Sequence, residues 1–201
     1  MTMRSNAGKQ TFTGAARREQ IIAATIAVLA EGGLPAASLA AIAQRAQVSK
    51  GVISYYFAGK EDLLRAVVDS VLADADEYMR PRVLAAKSHL EALRTYVTSN
   101  VGYIDEHRKE IRALTEIFNA SPPGNSHPYA EGHRRAVSAL AELLREGQRA
   151  GELGRFSVRP VAVALRAAID AVSELLRADP RANVRTYGRE VADLFERGVR
   201  T

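Results

Sequence analysis

Residues 38–60 bring together side chains that can donate hydrogen bonds to phosphate oxygens and to the edges of nucleic-acid bases. The donors are the ammonium, hydroxyl and phenol groups of Lys50, Ser54, Tyr55, Tyr56 and Lys60. Gly51, within this group, leaves bare backbone where a phosphate or the wall of a groove can come close. This chemistry suits a surface that contacts the backbone and the bases of DNA.

Two short helices joined by a tight turn are predicted to position these donors. Ser38 and Ser49 each stand where an N-cap is expected, because a serine hydroxyl accepts a hydrogen bond from an amide in the first turn. Apolar residues follow each serine at helical spacing: Leu39, Ile42, Ala43 and Ala46 after the first, and Val52, Ile53 and Tyr56 after the second. Helices this short cannot bury an apolar face alone. The pattern therefore predicts a helix-turn-helix motif whose second helix lies in the DNA major groove.

The distribution of charge supports the same prediction. The whole sequence of 201 residues carries a formal net charge of +5. Residues 1–60 contain seven basic and two acidic residues, whereas residues 61–201 contain 21 of each. The excess positive charge is confined to the segment that holds the motif, as expected for a phosphate-facing surface.

The N-terminal third of the chain resembles the DNA-binding domain of the tetracycline-repressor (TetR) family. The resemblance is carried by a helix and four spaced motifs: Arg17 to Gly33, Ser38-Leu39-x-x-Ile42-Ala43, Val48-Ser49-Lys50-Gly51, Tyr56-Phe57 and Lys60-Glu61-x-Leu63-Leu64. The chain departs from the family at Gln47, where a turn glycine is usual, and at Ser54, where tyrosine is common. A left-handed backbone at Gln47 would cost about 1 kcal/mol.

The resemblance and the side-chain chemistry together predict the DNA contacts. We expect phosphate contacts from Ser38, Ser49, Tyr56 and Lys60. We expect base-edge or groove contacts from Lys50, Gly51, Val52 and Tyr55, and Arg45 suits either role. One motif reads only a few base pairs, so two copies of the chain are expected to bind a near-palindromic double-stranded operator as a homodimer.

The rest of the chain has the pattern of an all-α protein. Apolar residues at helical spacing predict helices over 15–31, 60–81, 82–106, 108–119, 129–150, 160–178 and 183–199. Phe118 is expected to be buried by the fourth of these. The expected organisation is a mobile N-terminal arm at 1–13, a DNA-binding domain at 14–60 and a larger helical ligand-binding and dimerisation domain at 61–201.

The resemblance implies that the larger domain dimerises and binds a small-molecule effector. Its last two helices are expected to pair across a two-fold axis as a four-helix bundle, and the candidate seam residues are Leu165, Ile169, Val172, Leu176, Val191, Leu194 and Phe195. Polar groups among apolar neighbours on the two central helices are the candidate effector contacts: Asn100, Tyr103, His107, Glu116 and Asn119.

Several other classes of function find no support in the sequence. The chain has no Cys, which excludes disulfides and thiolate chemistry and fits a cytoplasmic protein. No apolar run approaches the roughly 20 residues of a membrane span. There is no glycine-rich phosphate loop or nucleophile elbow, and His107, His127 and His133 match no standard zinc spacing. We therefore expect no enzymatic activity, no metal and no cofactor.

The favoured interpretation is a ligand-responsive DNA-binding transcription regulator, namely a repressor that a small molecule releases from its operator. A ligand required for DNA binding, or an activator, would have the same sequence features. The alternative is a helical ligand-binding or protein-interaction module that does not bind DNA specifically.

Overall fold

The computed structural model describes residues 6–120 and 128–200, which form nine α-helices and no β-strand. The helices are α1 (Asn6–Ala36), α2 (Leu39–Arg45), α3 (Lys50–Tyr56), α4 (Lys60–Leu84), α5 (His89–Glu106), α6 (Arg108–Asn119), α7 (Pro128–Arg149), α8 (Val158–Ala178) and α9 (Val184–Val199). The prediction of an all-α fold is confirmed. Among the described residues, no helix combines the length and the apolar character that a membrane span requires.

The helices belong to two compact units. The first comprises Met1–Val71 and Arg112–Pro122, and the second comprises Leu72–Ile111 and Pro123–Thr201, as far as these ranges are described. The first unit therefore extends beyond residue 60, the boundary expected from the sequence, because the first half of α4 buries Leu63 in it. Both α4 and α6 contribute residues to each unit, so the connections between the units include continuous helix.

Helix α1 is longer than the predicted helix at 15–31. It begins at Asn6, so residues 6–13 of the expected mobile arm are helical, whereas residues 1–5 lie outside the described part of the chain. Extending an existing helix requires only propagation and no buried face, which is why a polar segment can continue it. Near its other end, Gly33 has a φ of 68°, which breaks the regular helix before Pro35.

Helix α4 does not end at Pro81, as the sequence suggested. It continues to Leu84, and the amide of Ala85 donates to the carbonyl of Pro81 at 3.1 Å. A proline one turn before a helix end removes a single backbone donor, so the helix can pass through it. The next helix begins at His89 rather than at residue 82, because the Ser88 hydroxyl caps it by accepting from the Glu91 amide at 3.1 Å.

The core of the second unit lies between α5, α7, α8 and α9. Its fully buried side chains include Val97, Leu140, Leu144, Leu165 and Ile169. A Cβ added at Gly188 would lie 3.0 Å from Cβ of Val101, so this glycine permits the close packing of α9 on α5. In the first unit the prediction for Phe118 is wrong: this side chain is 48% exposed, because α6 turns Ala113, Leu114 and Ile117 inward instead.

Candidate functional site

The helix-turn-helix of α2 and α3 has the predicted capping at both N-termini. The Ser38 hydroxyl accepts from the Ala41 amide at 3.1 Å, and the Ser49 hydroxyl accepts from the Val52 amide at 3.3 Å. Each bond satisfies a backbone donor that has no partner within its own helix. Both serines are exposed, so each hydroxyl is fixed at the surface at the start of a helix.

The turn between the two helices is tight and left-handed at Gln47. The backbone of Gln47 has a φ of 53°, and its amide donates to the carbonyl of Gln44 at 3.1 Å. The Val48 amide donates to the carbonyl of Ala43 at 3.0 Å. The backbone of Gln47 is thus left-handed where the family usually has a turn glycine, and this is a local cost of about 1 kcal/mol that the surrounding packing must offset.

Helix α3 has one buried and one exposed face. Ile53 is buried on the inner face, and Phe57, the C-cap residue, is buried as well. Lys50, Gly51, Ser54 and Tyr55 are exposed, and the Tyr55 side chain reaches 82% exposure. Val52 and Tyr56 are half-buried, and the rings of Tyr55 and Tyr56 meet edge to face with centroids 5.0 Å apart. The outer face therefore presents a cation, bare backbone, a hydroxyl and a phenol.

The glycine at position 51 is not required by the chain's own packing. A Cβ placed there would meet only the Ser49 hydroxyl oxygen, at an ordinary contact distance of 3.6 Å. Its φ also lies outside the left-handed region. A residue that the fold does not restrict, on an exposed helix face, is consistent with the close approach of an external partner.

Two of the expected cationic contacts already have partners. The Arg45 guanidinium forms an ion pair with Glu31 of α1, so a phosphate contact by Arg45 would compete with that carboxylate. The Lys60 ammonium donates to the carbonyl of Leu34 at 3.4 Å, which occupies one of its three donors. The other two donors of Lys60 are not used in this bond.

Two side chains near the start of α1 contact the helix-turn-helix. The Gln20 side-chain amide donates to the carbonyl of Ala46 at 2.8 Å and so ties α1 to the end of α2. The Arg18 guanidinium lies 5.2 Å from the ring centroid of Phe57. Both residues lie in the helix from Arg17 to Gly33 that carries part of the family resemblance, but no local pattern marks these two contacts.

Comparison with known proteins places this architecture in a family. A family model for bacterial regulatory proteins of the tetR family matches residues 21–67, and a model for the tetracyclin repressor-like C-terminal domain matches residues 86–199, more than half of the chain. The chain belongs to the TetR family of transcriptional regulators. The resemblance noted in the sequence is thereby confirmed.

Individual relatives match different extents of this TetR-family chain. Over 85 residues it is 44% identical to the HTH-type transcriptional regulator BetI of Burkholderia cenocepacia (strain HI2424), spanning 42% of this chain and 44% of that relative, which is less than half of its length. The solved structure of FadR from Bacillus subtilis in complex with stearoyl-CoA has a TM-score of 0.82 at 22% identity and covers 90% of this chain and 98% of that one. The fatty acid degradation regulator FadR from Bacillus halodurans has a TM-score of 0.81 at 24% identity, with 90% and 99% coverage. At these identities the two structures show a shared fold.

The five residues expected to contact an effector do not all lie in one unit. Glu116 and Asn119 belong to the first unit, and Asn119 is exposed. A Cβ at Gly33 would lie 2.7 Å from Oε2 of Glu116, so this carboxylate packs against the end of α1. Asn100, Tyr103 and His107 belong to the second unit. A role for any of them in effector binding stays a prediction.

Tyr103 and His107 form part of an aromatic cluster at the end of α5. Their rings stack with centroids 4.1 Å apart, and Tyr78 of α4 meets Tyr103 edge to face at 5.6 Å. The Tyr103 side chain is buried, and burial raises the pKa of its phenol well above the usual value. The phenol is thus a neutral hydrogen-bonding group at physiological pH.

A buried arginine on α8, which the sequence analysis did not single out, contacts Asn100, the remaining candidate effector contact of the second unit. The Arg166 guanidinium on α8 donates through Nη1 to Oδ1 of Asn100 at 3.1 Å and to the Tyr96 hydroxyl at 3.4 Å. It also donates through Nη2 and Nε to Oδ1 of Asp170, at 2.6 and 3.0 Å. Burial lowers the pKa of Arg166, but Tyr96 and Asp170 together raise it by more, so the guanidinium is charged. A lone arginine in an otherwise apolar stripe is the only sequence signal for this cluster.

The predicted dimer seam is wrong for most of its members. Four of its residues are buried in the core of their own chain and cannot contact a second copy: Leu165, Ile169, Val172 and Val191. Leu176 and Phe195 are half-buried against the same core. Leu194 is 60% exposed and is the one proposed seam residue on the outer surface. The strongest apolar stripe of α8 faces inward because three other helices of the second unit cover it.

Proposed function

We propose that this protein is a homodimeric repressor that binds a near-palindromic operator through α2 and α3 of each copy and leaves it when a small molecule binds the second unit. The exposed face of α3 is the observation that carries the proposal. Lys50, Gly51 and Tyr55 lie there on a helix whose start is fixed by the Ser49 cap. This arrangement supports base readout by α3, with phosphate contacts from Ser38 and Lys60.

The geometry of B-DNA is the reason for proposing a dimer. Two recognition helices must lie about 34–36 Å apart, or a multiple of that distance, to enter successive major grooves on one side of the duplex. The outer face of α8 offers a seam in place of the buried stripe. Its exposed residues at helical spacing are Ala164, Ala167, Ala171, Leu175 and Ala178. Small side chains allow two helices to approach closely, and exposed Leu194 on α9 supplies further apolar surface.

Release by an effector requires the ligand to prefer a dimer with the wrong spacing. Because α4 and α6 each contain residues of both units, a shift at these helices in the second unit can be passed to the first as helix movement. A coupling free energy of about 1–3 kcal/mol would weaken operator binding about 5-fold to 150-fold. Such a regulator acts in the cytoplasm, where its operator is.

Selection of bound duplexes from a random library, followed by titration of the winner at several salt concentrations, tests this proposal. We expect a palindromic site and a steep fall in affinity with salt, because two copies neutralise several phosphates each. The triple variant Lys50→Ala, Tyr55→Ala, Lys60→Ala is the matched control and should enrich no site. Weak binding without an enriched sequence would contradict the proposal. Repeating the selection with a metabolite mixture identifies a regulator that needs its ligand to bind DNA.

A further inference from the structure

The guanidinium of Arg166 is the most deeply buried cation described in the second unit. Its side chain is only 10% exposed, and it lies on α8 beside fully buried Leu165 and Ile169. Removing a charge from water is costly, and an apolar residue of similar volume would often stabilise such a core equally well. The fold therefore does not require a cation here, and a buried ionic group of this kind is a candidate for a functional site.

The partners of Arg166 include one carboxylate, which contacts the guanidinium through a single oxygen. Nε and Nη2 both donate to the same oxygen, Oδ1 of Asp170. The two bonds made by Nη1 go to neutral oxygens on α5, namely Oδ1 of Asn100 and the Tyr96 hydroxyl. A guanidinium makes its strongest bonds with two parallel N–H donors on the two oxygens of one carboxylate. Neither edge of the guanidinium holds such a pair, because Asp170 offers a single oxygen to Nε and Nη2 and the acceptors of Nη1 are neutral.

Asp170 has a second partner besides Arg166. Its other oxygen, Oδ2, lies 3.3 Å from Nδ1 of His133 on α7. Exposure also increases outward along the cluster, from 10% at Arg166 to 32% at Asp170 and 39% at His133. The cluster therefore extends from the core to the surface.

We infer that Arg166 is the anchor for a carboxylate on the small-molecule effector, and that Asp170 occupies this anchor until the effector displaces it toward His133. The inference rests on the proposed function, since it identifies the chemistry of the ligand that the second unit binds. Tyr96 and Asn100 orient the guanidinium from α5. A carboxylate suits the site better than a phosphate, because Arg166 is the one permanent cation of the cluster. The second negative charge of a phosphate would be buried beside Asp170 without a cation of its own.

A comparison of the binding of matched probes to the full chain tests the inference. The probes are straight-chain carboxylic acids from acetate to dodecanoate, with the methyl esters and primary alcohols of the same chain lengths. Binding is measured directly by calorimetry and, separately, by release of the selected operator. We expect at least one acid to bind and to release DNA, while its ester and alcohol bind at least about 10-fold more weakly, since a hydrogen bond to a charged group is lost.

Variants of the cluster separate anchoring from folding. Arg166→Met keeps the side-chain volume and should weaken acid binding about 10-fold to 100-fold. Asp170→Asn removes the competing carboxylate and should strengthen acid binding several-fold, which a merely structural ion pair would not do. Arg177→Met is the control, because Arg177 lies on the same helix and pairs with Glu174 at the surface. It should leave acid binding unchanged.

The outcomes distinguish this inference from the proposed function. Equal binding of acid and ester, wild-type affinity in Arg166→Met, or no binding of any acid would overturn the anchor. If Arg166→Met does not fold, an unchanged or weaker affinity in Asp170→Asn overturns it instead. Absence of an operator would refute the repressor, while calorimetry with the acids would still decide on Arg166.

Discussion

Lys60 offers the sharpest test of the proposed DNA-binding surface. It is the first residue of α4, and its ammonium donates to the carbonyl of Leu34 at 3.4 Å. The substitution Lys60→Met keeps most of the aliphatic stem and removes the charge. If each copy contacts one phosphate through Lys60, the homodimer loses two such contacts on the operator.

The size of the effect follows from counterion release. Each phosphate contact contributes about 0.9 to the slope of log affinity against log salt concentration, so two contacts change it by about 1.8. Between about 50 mM and 200 mM salt, the ratio of wild-type to variant affinity should therefore shrink by about 12-fold. The variant is much weaker at low salt and approaches the wild type at high salt.

Fluorescence anisotropy of a labelled operator duplex, at several salt concentrations, measures this slope. Lys87→Met is the matched control, because Lys87 is an exposed lysine of the second unit and should not change the slope. An unchanged slope in Lys60→Met would remove Lys60 from the phosphate surface. A loss of affinity that is equal at every salt concentration would point to altered structure, which a lowered thermal midpoint would also reveal.

Three further variants test the turn, the recognition helix and the seam. Gln47→Gly should raise the free energy of unfolding by up to about 1 kcal/mol, because glycine adopts the left-handed φ of 53° without strain; a lower thermal midpoint would contradict this. Gly51→Ala should leave the fold intact or stabilise it by about 0.5–1 kcal/mol, since a Cβ has room there, and should still weaken operator binding in titrations. Unchanged affinity would mean that DNA does not approach Gly51 closely. Leu194→Asp should give a monomer by light scattering with an unchanged thermal midpoint at low concentration, because this side chain is 60% exposed in a single copy; an intact dimer would exclude Leu194 from the seam.

The local features of the first unit could be predicted because they depend on neighbouring residues. A serine before an apolar repeat caps a helix through an amide three residues away, and both Ser38 and Ser49 do so. The left-handed backbone of Gln47 lies where the family usually has a turn glycine. Family resemblance added an expected role in DNA binding for these elements, and the family models confirm the family itself.

Helix ends were less predictable where tertiary packing or propagation determines them. Pro81 removes one donor, but the following residues still complete the last turn of α4, so the helix passes through it. Residues 6–13 have a polar and aperiodic sequence, and yet they continue α1. In both cases the sequence contains a local signal for a helix end, a proline or a polar segment. It does not show how strong the competing effect is that continues the helix.

By itself, the sequence determined the helical class, the capped helix-turn-helix and the confinement of positive charge to the first 60 residues, because periodicity, capping and charge are properties of nearby residues. Only the tertiary structure decided which apolar face of α8 is core and which is surface. Periodicity shows that a face avoids water but does not name what covers it, so the buried stripe of Leu165 and Ile169 could be taken for a seam. The same folding brings Arg166 to Asn100, 66 residues apart in the chain, and no local pattern records such a contact.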